Sequence, residues 1–151
     1  MTFTSSKAIL LIRNPTAGRR RRGLVDEVVR LVRDTGCTVD LVDTEAVGDA
    51  RRLAENCDAD RYAVIAVAGG DGTINEVVNG LARRTKESPA LAIVPLGTAN
   101  VLAHELGLQA RAAEVANTIV SGREVVVHPG EASNDGGAPR CFSLMAGAGF
   151  D

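Results

Sequence analysis

The residues of greatest chemical interest are Asp71 and the glycines around it, in the run Gly69-Gly70-Asp71-Gly72. Three glycines in four residues permit positive φ and leave backbone N–H groups open to close approach by a phosphate oxygen. The carboxylate is the informative member. Inside a phosphate cradle it repels the ligand, unless a cation lies between them or it takes a proton from an attacking hydroxyl. Both roles belong to phosphoryl transfer. The plainer reading is that Asp71 turns the chain and that Thr73 and Glu76, at T-x-x-E spacing, cap a helix. Two common phosphate motifs are excluded. No Walker A lysine is present, and G-x-G-x-x-G fails because Asn75 stands where the third glycine belongs.

The elements that must position this turn follow from hydrophobic pattern. Residues 62–68 (YAVIAVA) are continuously apolar, too few to span a bilayer but suited to a strand buried on both faces of a parallel sheet. Ile74, Val77, Val78 and Leu81 then recur at helical spacing, which predicts a helix over 73–84. Strand, glycine turn and helix N-terminus together form an anion site. Upstream, residues 7–12 (KAILLI) predict a first strand ended by Pro15. Leu24, Val28, Leu31 and Val32 predict a helix over 23–35 with Gly36 at its C-terminal cap. Residues 37–43 (CTVDLVD) read as a second strand, and 46–57 as a helix through Val47, Ala50, Leu53 and Ala54. Downstream, 90–94 (ALAIV) reads as a fourth strand, followed by helices over about 99–106 and 110–120.

Strands alternating with helices predict an α/β sandwich with a parallel sheet and right-handed crossovers. The carboxyl ends of the strands then share one edge, where ligands bind. That edge would gather residues 14–18, Thr44, 69–73 and 95–100. Thr44 and Thr98 bring hydroxyls, Asn14 and Asn100 bring amides, and the glycine turns bring backbone donors. The last residues change character: 124–133 and 140–148 read as strands joined by the turn-rich 134–139, hence an antiparallel hairpin with Phe142 and Met145 in its core. Such a hairpin is marginal alone, which suggests the start of a β-rich second domain that the chain does not complete.

Bulk properties narrow the class. The 151 residues suffice for one core, and a net charge of −2 supplies no global field for nucleic acid. Aromatic residues make up 3% of the chain, too few for a stacking platform on single strands. Cys37, Cys57 and Cys141 show no metal or redox spacing and read as reduced, buried thiols. No signal peptide or transmembrane helix is expected.

With NPTAG at 14–18, GGDGTINEVVNGL at 69–81 and PLGTAN at 95–100, the sequence resembles the diacylglycerol kinase catalytic-domain family, which includes bacterial lipid kinases, sphingosine kinases and ceramide kinases. GGDG alone is shared with NAD kinases and phosphofructokinase-like folds; PLGTAN makes the match specific. The resemblance implies a three-layer nucleotide-binding domain of phosphofructokinase-like or NAD-kinase-like type over residues 1–122, with a truncated β-sandwich starting over 123–151. It implies ATP and magnesium as cofactors, and a membrane lipid such as diacylglycerol as the hydroxyl acceptor. The implied nucleotide contacts are Asn14, Pro15, Thr16, Ala17, Gly18, Thr44, Gly69, Gly70, Asp71, Gly72, Thr73, Ile74, Asn75, Glu76 and Thr98, with Asp71 the catalytic candidate. The metal ligands are not identified. A cytoplasmic protein, peripheral at the inner membrane surface, is the corresponding expectation.

Two departures qualify the match. Val101 follows Asn100 where the family commonly has an acid, and the family's late acidic base lies in a β-sandwich this chain does not reach. ATP binding without efficient turnover is therefore expected of these residues alone. The alternatives are an NAD-kinase-like phosphotransferase acting on a soluble dinucleotide, and a non-catalytic nucleotide-sensing module. Beside the first turn, Arg13 and Arg19, Arg20, Arg21 and Arg22 form a basic run that could meet anionic headgroups or be a solvated helix entrance. His104, among Ala103, Leu106 and Leu108, reads as a helix-face residue rather than a ligand, and His128 reads similarly.

Overall fold

The structure, a computed structural model, describes residues 8–18, 21–85, 87–134 and 136–143. In chain order the elements are β1 (Ala8–Arg13), α1 (Arg22–Asp34), β2 (Val39–Asp43), α2 (Asp49–Glu55), β3 (Tyr62–Gly69) and α3 (Asp71–Ala82). They continue with β4 (Ala90–Pro95), α4 (Val101–Glu105), α5 (Ala112–Ser121), β5 (Gly130–Ala132) and β6 (Arg140–Phe142).

The first four strands form one parallel sheet in the order β2-β1-β3-β4. Its central strand β3 is buried on both sides, as its continuous apolar run requires. Val64, Ala66 and Ala68 face α1 and α5. Ile65 and Val67 face Ala50 and Ala54 of α2, Ile74 and Val77 of α3, and Leu102 of α4. The chain steps from β1 outward to β2, then reverses past β1 to β3 and β4. Because crossovers keep one hand, that reversal carries the connecting helices from one face to the other. The gap between the carboxyl ends of β1 and β3 is therefore the topological switch point, where α/β sheets bind ligands.

Gly80 fixes how the second layer packs. A Cβ there would collide with the Arg51 carbonyl and come within 2.8 Å of the Ala54 Cβ, so α2 and α3 cross at a separation only glycine allows. Arg84 adds a polar tie, donating from Nη1 to the carbonyls of Ala54, Glu55 and Cys57 and so covering the end of α2.

Several boundaries differ from the sequence reading. The helix expected over 46–57 begins at Asp49, because Gly48 takes φ +93° and the Asp49 carboxylate accepts the N–H groups of Glu45 and Ala46. Val47 is consequently exposed on a turn instead of lying on a buried helix face. α3 starts at Asp71, two residues earlier than expected, so Thr73 lies within the first turn and is not its cap. Gly69, Gly70 and Gly72 are not among the residues at positive φ; Gly36, expected as a cap, is, at φ +89°. Of the three thiols only Cys57 is buried, and burial raises its pKa.

The C-terminal strands pair antiparallel as expected, with Gly130 opposite Phe142 and Glu131 opposite Cys141. The Phe142 ring lies over Gly130, in space a Cβ would fill. β5 is shorter than the sequence suggested. Val125, Val126 and Val127 stay exposed outside any strand. Lys7, Met145 and the rest of the expected strand beyond Ser143 lie outside the described residues.

Candidate functional site

Four loops end on the same edge of the sheet, in the spatial order Thr44, Asn14, Gly70, Leu96 set by β2-β1-β3-β4. Backbone hydrogen bonds stitch them laterally. Thr44 N–H donates to the Arg13 carbonyl (2.9 Å), Asn14 N–H to Ala68 (2.9 Å) and Leu96 N–H to Gly69 (3.1 Å). The expected rim is thus assembled from segments far apart in the chain.

The first loop is an Asx turn. Asn14 Oδ1 accepts both the N–H and the hydroxyl of Thr16 (3.0 and 2.8 Å), while its Nδ2 donates to Thr73 Oγ1 on α3 (3.1 Å). The Asn14 amide therefore braces the first loop against α3, leaving the exposed Pro15 and Thr16 and the half-buried Ala17 and Gly18 along the rim. Gly18 is at φ +57°, and a Cβ there would sit 2.5 Å from the Leu96 carbonyl oxygen. Arg21 reaches the same strand end, donating from Nη1 to the Pro95 carbonyl (3.1 Å). Of the basic run, Arg19, Arg20 and the side chain of Arg22 lie outside the described residues.

The glycines of the second loop serve close approach, not the positive φ expected of them. A Cβ on Gly69 would collide with the Thr73 side chain at 2.6 Å, and one on Gly97 would meet the Gly70 Cα at 2.8 Å. Gly70 is extended and precedes α3 without a side-chain cap. Its carbonyl accepts the N–H of Ile74 (3.0 Å), so the N–H groups of Asp71, Gly72 and Thr73 have no acceptor among the described residues. Gly72 faces open space. Three free donors and the positive end of a 12-residue helix make this the rim's anion-attracting point.

Asp71 is exposed, and its Oδ1 accepts the Val101 N–H at 2.7 Å. The carboxylate thereby caps α4 from the neighbouring loop, a contact no local pattern indicates. Asn100 behaves differently from the sequence expectation. It is buried at φ +45°, and its amide is spent on its own turn, accepting from Gly97 N–H (3.1 Å) and donating to the Gly97 carbonyl (2.7 Å). Among the remaining candidates, Thr98 and Asn75 are exposed, Thr44 and Glu76 are half-buried, and the Ile74 side chain lies in the core.

At the far end of the rim, Arg13 and Asp43 are register partners on β1 and β2 and form a bidentate pair (2.6 and 2.9 Å). The guanidinium holds the Asp43 carboxyl below its ordinary pKa, and the pair raises that of Arg13. Strand alternation alone does not reveal this pair; it requires the parallel register. An apolar groove of about 680 Å³ lies elsewhere, along β4, lined by Leu91, Ile93, Leu102, Ile119 and Val125. The free backbone donors are at the rim, and that is where the geometry suits an anion.

The chain is similar to known proteins in both sequence and fold. The family model for the diacylglycerol kinase catalytic domain matches residues 8–132. Proteins named diacylglycerol kinase from Staphylococcus aureus strains JH9 and Newman are each 35% identical over 145 residues, covering 95% of this chain and 44% of theirs. A crystal structure of a diacylglycerol kinase from Bacillus anthracis str. Sterne superposes with a TM-score of 0.69 at 32% identity, over 85% of this chain and 46% of that one. The chain thus spans less than half the length of the relatives it matches.

Proposed function

This chain belongs to the diacylglycerol kinase catalytic-domain family, and from that membership we propose that it is the ATP-binding lobe of a lipid kinase that transfers the γ-phosphoryl group of ATP to the hydroxyl of a membrane lipid such as diacylglycerol. The observation that carries this reading is the uncapped start of α3 at the switch point, with three N–H groups unpaired among the described residues. The triphosphate lies against those donors. Asn14, Pro15, Thr16, Ala17 and Gly18 wall it on one side, Thr98 on the other. Thr44 lies toward the nucleoside end, Gly69, Gly70 and Gly72 line the floor, and Thr73, Ile74, Asn75 and Glu76 support the first turns of α3.

Magnesium fits the donor set. No cluster of three or more His, Cys, Asp or Glu is present among the described residues. This cation is commonly held through one or two carboxylates together with the substrate's phosphates. Asp71 is the carboxylate placed to hold it, where it would neutralise phosphate charge. Asp71 would then have two tasks, with Oδ1 fixing α4 and its other oxygen left to hold the ion. The α/β unit ends near residue 122, and the segment from 123 begins a second unit that completes the acceptor site. Contact with the cytoplasmic membrane surface is peripheral; among the described residues no helix is long and apolar enough to cross a bilayer.

The test is calorimetric titration with ATP and magnesium, followed by labelled-ATP transfer to diacylglycerol vesicles in the full-length natural protein. ATP should bind, and diacylglycerol should be labelled. Failure to bind ATP at millimolar concentration would remove the reading, and labelling of a soluble dinucleotide in place of lipid would redirect it.

A further inference from the structure

The uncapped turn of α3 is not the helix's only polar commitment. Two turns further along, Asn79 is 9% exposed, although asparagine is seldom buried in a helix. Both of its amide hydrogens and its oxygen are engaged. Nδ2 donates to the Asn75 carbonyl (2.9 Å) and to the Cys141 carbonyl (2.8 Å), and Oδ1 accepts the Cys141 N–H (2.8 Å). The carboxamide thus engages both backbone groups of one residue of β6, as a neighbouring strand would. Between the hairpin and the α/β unit, these two bonds are the hydrogen bonds seen among the described residues.

We propose that Asn79 is a positioning residue that registers the segment beginning with β5 and β6 against the anion-binding end of α3. The physical reason is rigidity. Asp71 and Asn79 are eight positions apart on one helix, so about 12 Å of stiff backbone separates the phosphate cradle from the grip on β6. Wherever the hairpin leads, its origin is referred to the same rod that points the free N–H groups at the rim. The grip is a fact of geometry; its consequence for phosphoryl transfer rests on the reading given under Proposed function.

The grip is tested through Cys141 itself, whose amide exchange and thiol alkylation report release of β6. Asn79→Ala removes two hydrogen bonds between helix and hairpin. It should speed Cys141 amide exchange about thirty-fold, taking each buried bond at its usual net contribution. Thiol alkylation should rise with it, while the Kd for ATP changes less than about two-fold. Asn79→Asp supplies a finer readout. The neutral carboxyl has one donor and one acceptor and reproduces the grip, whereas the carboxylate repels the Cys141 carbonyl. The gripped state favours the neutral form and raises the introduced carboxyl's pKa, so protection of Cys141 should be near wild type at low pH and fall as pH rises through that pKa. In the full-length natural protein, Asn79→Ala should lower kcat at least ten-fold with KM for ATP unchanged.

Unchanged Cys141 exchange in Asn79→Ala, or a pH-independent Asn79→Asp, would overturn the grip. Released Cys141 with unchanged kcat would overturn its positioning role. Absence of ATP binding in the wild type would instead reject the nucleotide reading and leave the Cys141 readouts to decide the grip alone.

Discussion

α3 and α4 begin in the same way, after adjacent parallel strands and through glycine-bearing turns, yet the first N–H of α4 is capped and that of α3 is not. α4 is partly closed: its first N–H is taken by the Asp71 carboxylate, and the Asn100 amide is folded onto Gly97. α3 is open: Gly70 has no side chain to offer, and three N–H groups point to the rim. The difference leaves α3 the helix with the freer N-terminus. The residue that could screen α3's N-terminus, the aspartate at its own first position, is turned instead to the neighbouring helix, which tightens the rim while leaving the donors free.

Substitutions can break this contrast. The largest effect is expected at Asp71. Asp71→Ala should lower transfer to lipid at least a hundred-fold, in the range of removing one electrostatic contributor to catalysis. Asp71→Asn separates its two tasks, since an amide oxygen still accepts the Val101 N–H. Its melting temperature should match wild type while transfer falls. If Asp71→Asn retains full transfer, the carboxylate's charge has no part in the chemistry.

Next in size is the spacing between the two turns. Gly97→Ala places a Cβ 2.8 Å from the Gly70 Cα, and backbone cannot yield as a flexible side chain would. Denaturant unfolding should show a loss of about 1–3 kcal/mol, the usual range for overpacking, with ATP affinity reduced at least ten-fold. Stability loss without affinity loss would separate the Gly70–Gly97 approach from the nucleotide site.

A smaller change is expected where the first loop leans on α3. Thr73→Val keeps the shape packed beneath Gly69 but removes the acceptor for Asn14 Nδ2, at a cost of about 1 kcal/mol. The smallest effect is electrostatic. Asp43 is held below its ordinary pKa chiefly by Arg13, and Asp40 chiefly by the Tyr62 hydroxyl. A depressed carboxyl contributes stability that is full above its unfolded pKa and is lost as pH falls through its folded one. Acid titration of the melting temperature should therefore decline below about pH 4. Asp43→Asn should remove well under 1 kcal/mol at neutral pH, because the pair is open to solvent.

Much of the architecture was legible in the chain itself. Runs such as LAIV and VIAV contain no polar residue to turn toward water, so they must be interior strands, and the helical recurrence of Ile74, Val77 and Leu81 requires an element between β3 and β4. Parallel pairing and a shared ligand-binding edge follow from that alternation. Less legible were the duties of single side chains. Asn14 and Asn100 read as groups offered to a ligand, but Asn14 braces its turn against α3 and the Asn100 carboxamide is absorbed by its own turn. The glycines of 69–72 read as φ-permissive, but Gly69 is required by the bulk of Thr73, and Gly70 lies where Gly97 comes close.

Order along the chain, element type and the location of the rim follow from local pattern, because burial and helix periodicity are properties of neighbouring residues. Which donors stay free is another matter. Asp71 meeting Val101 across 30 positions, Arg13 meeting Asp43, and Asn79 gripping Cys141 all depend on contacts created when separate segments converge. A hydrogen bond has one best partner within reach, and reach is defined only once the sheet has set the distances.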